Sequence, residues 1–226
     1  MKFNRASGVL LHPTSLPGAY GIGEIGPEAY RFADFLHATG QRLWQILPLG
    51  PTSYGDSPYQ SPSTFAGNPL WISFDLLVKD KLLTKAQLKT FPVFPAEKVD
   101  FGAVIPARMA VLQQVCATFA DRASPALQEQ FAAFCARHAG WLDEYALFTA
   151  LKDAHNGVPW PQWEPALARR EPAALQAART QYAAEIRNVQ IIQFLFADHW
   201  QRLRTYCAKL GIQLIGDIPI FVAHDS

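Results

Sequence analysis

The apolar positions of the chain fall into three short continuous runs and a long region of helical period. Val9, Leu10 and Leu11 form the first run, and H-P-T-S-L-P-G ends it in a proline-rich turn, which predicts a short buried strand. Beyond Gly21 and Gly23, the stretch G-P-E-A-Y-R-F-A-D-F-L-H-A-T-G puts proline at a first helical position, acid in the first turn and Gly40 at the C-terminal end. A helix burying Ala29, Phe32, Ala33 and Leu36 is expected there. Arg42 to Leu49 is a second strand, and the strand-helix-strand spacing suits a right-handed parallel crossover. The third run, I-Q-L-I-G-D-I-P-I-F-V, follows Gly211 and predicts a third strand buried on both faces.

Between the second and third runs the pattern is helical. After Pro69, L-W-I-S-F-D-L-L-V stays apolar, Thr84 reads as a helix N-cap, and F-P-V-F-P-A-E-K-V-D-F-G is extended. Helices are predicted over Ile105 to Phe119, from Ser124-Pro125 to His138, and over Trp141 to Asp153, where Trp141, Tyr145 and Phe148 share a face. P-W-P-Q-W-E-P at 159 to 165 interrupts them, and its Trp160 and Trp163 either pack on the helices or form a sugar platform. From Pro172 to Gly211, Leu175, Tyr182, Val189, Phe196, Leu203 and Leu210 recur every seven residues. A second apolar seam is lacking and Gln193 interrupts it, so one or two long helices packed within the chain are expected rather than a coiled coil.

Composition narrows the functional classes. Half of the 226 residues are hydrophobic, enough for one large domain or two small ones. Twenty basic residues face nineteen acidic ones, so no global positive field draws in nucleic acid or anionic lipid. Cys116, Cys135 and Cys207 are odd in number and widely spaced, which predicts reduced core thiols rather than a disulfide frame or zinc site. The start lacks the apolar stretch of a secretory signal, and no run approaches the ~18 apolar residues of a membrane span. A cytoplasmic protein is expected. The G-I-G-E-I-G string at 21 to 26 follows a turn rather than a strand and is no dinucleotide fingerprint, and no Ser-His-Asp set assembles.

The stretch from Ser53 to Pro69, S-Y-G-D-S-P-Y-Q-S-P-S-T-F-A-G-N-P, follows the second strand and fits neither core nor linker. Prolines and glycines exclude a helix or a central strand and stiffen the loop. Its aromatic rings suit the apolar faces of sugars, and its hydroxyl and amide groups suit their rims. The alternative is a loop that only caps a strand. Asp217 lies at the carboxyl end of the third strand, where parallel α/β folds bind ligands; otherwise it caps the next turn. His12 and His224 lie just beyond strands and edge a pocket. His37, His138 and His199 read as surface or interface residues on helices, and Asp225 as a turn residue.

Four motifs together carry a family resemblance: G-V-L-L-H-P-T-S-L-P-G at 8 to 18, W-Q-I-L-P-L-G-P-T at 44 to 52, Y-G-D-S-P-Y-Q-S-P-S-T-F-A-G-N-P, and G-D-I-P-I-F-V-A-H-D-S at 216 to 226. In that order they resemble the 4-α-glucanotransferases, the amylomaltases or disproportionating enzymes of glycoside hydrolase family 77. The resemblance implies an α/β fold, an incomplete (β/α)8 TIM barrel with its first three strands and a large helical insertion between strands two and three. It divides the chain into residues 1–98, which open the barrel and carry the substrate loop 53–69, an insertion at 99–195, and a return to the barrel at 196–226. It further implies transfer of α-1,4-glucan segments to the 4-hydroxyl of glucose or a maltooligosaccharide, by a retaining double displacement without cofactor or metal. Tyr59 looks like the ring beneath the sugar at the cleavage point, with Asp56, Ser57 and Gln60 around it. Tyr54 resembles an aromatic further out, and Asp217 a carboxylate that holds donor hydroxyls. Relatives carry V-D-Y-G where this chain has V-D-F-G, so Phe101 keeps an outer stacking face without its hydroxyl.

Retaining chemistry needs two carboxyl groups roughly 5 Å apart. In the family the nucleophilic aspartate sits in an R-I-D-H-F-R-G type motif, and the acid/base glutamate comes later; no R-I-D occurs here. The chain therefore reads as the N-terminal part of such an enzyme, inactive alone and, with its barrel open, aggregation-prone or partly molten. Other readings are a non-catalytic glucan-binding protein and part of an amylase-clan hydrolase.

Overall fold

The structure, a computed structural model, describes residues 5–219 and 221–226. Strand β1 (Gly8–Leu10) leads through a 3-10 turn into α1 (Pro27–Ala38), which starts on Pro27 and buries Ala29, Ala33 and Leu36 as its period dictates. Strand β2 (Leu43–Gln45) is followed by the loop and its two-residue strand β3 (Gln60–Ser61). Helices α2 (Phe74–Lys79) and α3 (Lys85–Leu88) come next, the second opened by a capping box between Thr84 and Gln87. Helices α4 (Phe101–Arg122), α5 (Pro125–Ala154), α6 (Pro165–Ala168), α7 (Pro172–Gln181) and α8 (Ala183–Lys209) precede β4 (Gln213–Ile215) and β5 (Phe221–Val222). The fold is α/β.

Strands β1, β2 and β4 form one parallel sheet with β2 in the middle, as the crossover spacing predicts. Val9, Trp44 and Leu214 are in register and point toward the helices, where Phe32 of α1 meets Trp44 edge-on at 4.9 Å. The next row, Leu10, Gln45 and Ile215, points to the other side and is open: Leu10 is 56% and Ile215 41% exposed. This corrects the expectation of strands buried on both faces, because α1 and α8 cover one side and the described residues leave the other bare. The apolar run after Gly211 is also not one strand: it breaks at Gly216, and β5 pairs with β3 instead.

The helical region differs from its prediction at one junction. Residues expected to break between His138 and Trp141 run through as a single 30-residue α5. Gly140 costs a helix interior roughly 1 kcal/mol relative to alanine, and the packing of α5 along α8 outweighs it. The seven-residue seam resolves into two helices, α7 and α8, split at Tyr182. One core runs from Leu16 through Trp44, Phe74, Phe119 and Phe194 to Ile212, so the helices and the sheet share it. A residue 195–196 boundary falls inside α8. Helix α4 has the length and apolarity of a membrane span, contrary to the sequence expectation. Here it packs into the core through Val104, Leu112, Val115 and Phe119, and it carries the fully buried Arg108.

Candidate functional site

The loop after β2 takes the form its breakers impose: a 3-10 turn at Tyr54–Asp56, the short β3, and a second 3-10 turn at Pro69–Trp71. Gly55 and Asp56 both have positive φ, 70° and 53°, a conformation that is free for glycine and strained for aspartate. The Ser53 and Gln60 ends meet, since the Ser53 amide and hydroxyl both donate to the Gln60 carbonyl at 3.1 Å. The result is a closed bulge in which Asp56 and Ser57 are half-buried and Tyr59 is exposed.

The second half of the loop is tied down at every step. Ser61 is buried and donates to the Ser63 carbonyl at 2.8 Å, and the Ser63 hydroxyl accepts from the Phe65 and Ala66 amides. Asn68 donates its amide to the Leu49 carbonyl, and its side chain caps the Leu70 amide at 3.0 Å. Helix α8 supplies the rest from one face. Gln193 accepts from the Gly67 amide at 2.8 Å and donates to its carbonyl at 3.0 Å, Phe196 lies where any side chain on Gly67 would stand, and His199 accepts from the Ser73 amide at 3.1 Å. On the other side Arg108 donates to the Ile72 carbonyl at 2.6 Å and to Glu24 at 3.0 Å. Burial pushes the Glu24 carboxyl up, against the pull of Arg108.

The structure brings together the two residues that carried the sequence argument. The Tyr59 hydroxyl donates to Asp217 Oδ2 at 2.8 Å, although 158 positions separate them, and both side chains are exposed. That bond holds the Tyr59 phenol above its usual pKa. Asp217 Oδ1 also accepts from the Ile218 amide, so one carboxylate caps its own turn and holds the Tyr59 hydroxyl. Ser57 Oγ accepts from the Tyr59 amide, and Gln60 is held in β3 beside β5. Asp56 and Phe101, the first residue of α4, line a cavity of about 180 Å³ with His12, Pro58 and Trp71. His12 meets Trp71 edge-on at 4.6 Å, and burial lowers its pKa to about 4. The Tyr54 side chain lies outside the described residues. A ring, an acceptor carboxylate and flanking hydroxyls at the end of a parallel strand form an arrangement for holding a polyol.

The remaining histidine, aspartate, tryptophan and cysteine candidates lie as follows. His199, expected at a surface or an interface, is fully buried where α8 meets the loop, and burial lowers its pKa to about 3. Asp225 does lie in a turn, but it also pairs with Lys152 and accepts from the Trp160 amide. Trp163 packs against His155 and Phe148. Cys116 and Cys207 are core thiols that burial raises to about 12 and about 11, and Cys135 is half-buried. Gln193 had a signal, a polar residue in an apolar seam. Its partner is a backbone over a hundred residues away, which no periodicity shows.

The profile of the family described as 4-alpha-glucanotransferase matches residues 11–226, and the chain belongs to that family. It is 47% identical to the 4-alpha-glucanotransferase of Thermus thermophilus over all of this chain and 44% of that protein. It is 44% identical to the one from Synechocystis over 98% of this chain and 44% of that protein. The chain thus spans less than half the length of these relatives. Among solved structures, the amylomaltase of Streptococcus agalactiae in complex with acarbose superposes with a TM-score of 0.92 at 39% identity, covering 99% of this chain and 45% of that one. The amylomaltase of Corynebacterium glutamicum, at 16% identity and a TM-score of 0.67, shares the fold.

Proposed function

We propose that this chain is the glucan-holding part of a 4-α-glucanotransferase, with Tyr59 stacking beneath the sugar at the cleavage point and Asp217 holding its hydroxyls. The observation that carries this reading is the 2.8 Å bond from Tyr59 to Asp217, which joins the loop to the end of β4. Strands β1, β2 and β4 are the first three of a (β/α)8 barrel, and residues 99–195 are its helical insertion. The parallel order and the one bare face of the sheet support that assignment. Ser57, Gln60 and Asp56 flank the pocket, and Phe101 and Tyr54 contact glucan further out.

The transfer itself, by retaining double displacement to the 4-hydroxyl of an acceptor, uses a nucleophilic aspartate and an acid/base glutamate that no motif in these 226 residues provides. The chain alone therefore binds maltooligosaccharides and does not rearrange them. Incubation with maltotriose tests this: the expected result is unchanged maltotriose, with binding that Tyr59→Ala weakens. Release of glucose together with longer oligomers by the purified chain would overturn it.

A further inference from the structure

Helix α5 carries Trp141, Tyr145 and Phe148 at helical spacing; Trp141 meets Phe65 of the loop, and Tyr145 and Phe148 line a cleft against it. Phe65 of the loop, 72% exposed, lies nearly parallel to Trp141, with ring centroids 6.1 Å apart and planes 22° apart. Trp141 in turn meets Tyr145 at 6.2 Å. Beside these rings a cleft of about 400 Å³ opens between α5 and the loop, lined by Gln60, Tyr145, Phe148, Thr149, Lys152 and His224. That volume is in the range of ligand pockets. Thr52 lines both this cleft and the cavity that holds Asp56 and Pro58, so the cleft adjoins the site already described.

We propose that this cleft and the Phe65–Trp141 platform form a further glucan subsite, taking glucosyl units beyond those held at Tyr59 and Asp217. The proposal rests on the reading of the chain as a glucan-holding part. Charge selects the ligand class. Lys152 is paired with Asp225, so the cleft offers a neutral lining to a neutral ligand rather than a free cation to a phosphate. Aromatic faces at the rim cover the C–H side of a sugar ring, while the Thr149 hydroxyl and the Gln60 amide meet its hydroxyls. The Ser63 hydroxyl accepts from the Phe65 and Ala66 amides and fixes the backbone that carries the ring, which lies against Trp141.

Calorimetric titration of the chain with maltotriose and maltoheptaose tests the subsite. The wild type is expected to bind maltoheptaose more tightly than maltotriose. Phe65→Ala and Trp141→Ala should each weaken maltoheptaose by about five- to tenfold, the scale of one lost aromatic contact. Neither should change maltotriose binding, whereas Tyr59→Ala weakens both sugars. Phe65 is exposed, so its variant decides the matter should Trp141→Ala fail to fold. A length preference that survives Phe65→Ala would overturn the subsite while leaving the role of Tyr59 intact. Absence of binding by either sugar to the wild type would instead overturn the functional reading on which the subsite rests.

Discussion

Residues 53–60 and residues 61–73 belong to one loop, yet they are held by different means. The later half is fixed from two sides by buried groups, Gln193, Phe196 and His199 on α8 and Arg108 on α4. The earlier half closes on itself through Ser53 and Gln60 and meets the body of the protein through Tyr59, Asp217 and the β3–β5 pairing. Pinning one half leaves the other projecting, with the Tyr59 ring exposed. A binding surface that loses little order on closing is the expected gain. If this division is right, removing the buried anchors of the later half acts on stability, and damage to the projecting half, like loss of the exposed Phe65 ring, acts on binding.

The largest effect should follow from Arg108→Ala. It strips the buried Glu24 of its partner and the Ile72 carbonyl of a donor, and losing one member of such a pair costs about 3–5 kcal/mol. Urea denaturation measures it; a loss within experimental error would mean that the anchoring is only apparent. Next comes Gln193→Leu, which orphans a buried amide and a buried carbonyl at Gly67. Each such group costs about 1–3 kcal/mol. Faster hydrogen exchange confined to residues 66–70 would accompany it.

A smaller effect concerns pH. His199 stays neutral in the folded state down to about 3, whereas the unfolded chain takes up that proton near 6.5. Folding stability is therefore whole above about pH 6.5 and falls as pH drops toward 3, by up to about 1.4 kcal/mol per pH unit. His199→Gln should flatten part of that slope in denaturation curves taken from pH 7 to 5; His12, lowered to about 4, keeps its own share. Smallest in stability is Tyr59→Phe, which removes only an exposed hydrogen bond. Its melting midpoint should match the wild type, while maltooligosaccharide affinity drops several-fold as Asp217 loses its orientation.

These two halves were also unequally legible in the sequence. The projecting half announces itself, because prolines and glycines among aromatic and hydroxyl residues leave few alternatives to a stiff polar loop. Asp217 was equally visible as a carboxylate at a strand end. Both signals are local, and so were the starts of α1, α3 and α5, each set by proline or a cap. The anchoring half depended on pairing across the chain. Gln193 looked like a blemish in a helix pattern and His199 like a surface or interface residue, since the amides they satisfy belong to residues 67 and 73. Strand burial was misjudged for a related reason: a run such as Ile212 to Val222 shows hydrophobicity but not what covers it. Here Ile215 and Ile218 remain exposed.

The proposed glucan-holding role requires sugar to lie over Tyr59 with its hydroxyls on Asp217. A crystal structure of the chain with acarbose, the ligand of the Streptococcus agalactiae amylomaltase complex, tests this most directly. The predicted result is a ring stacked on Tyr59 and hydrogen-bonded to Asp217. Acarbose bound elsewhere, with the Tyr59 and Asp217 pair untouched, would contradict it.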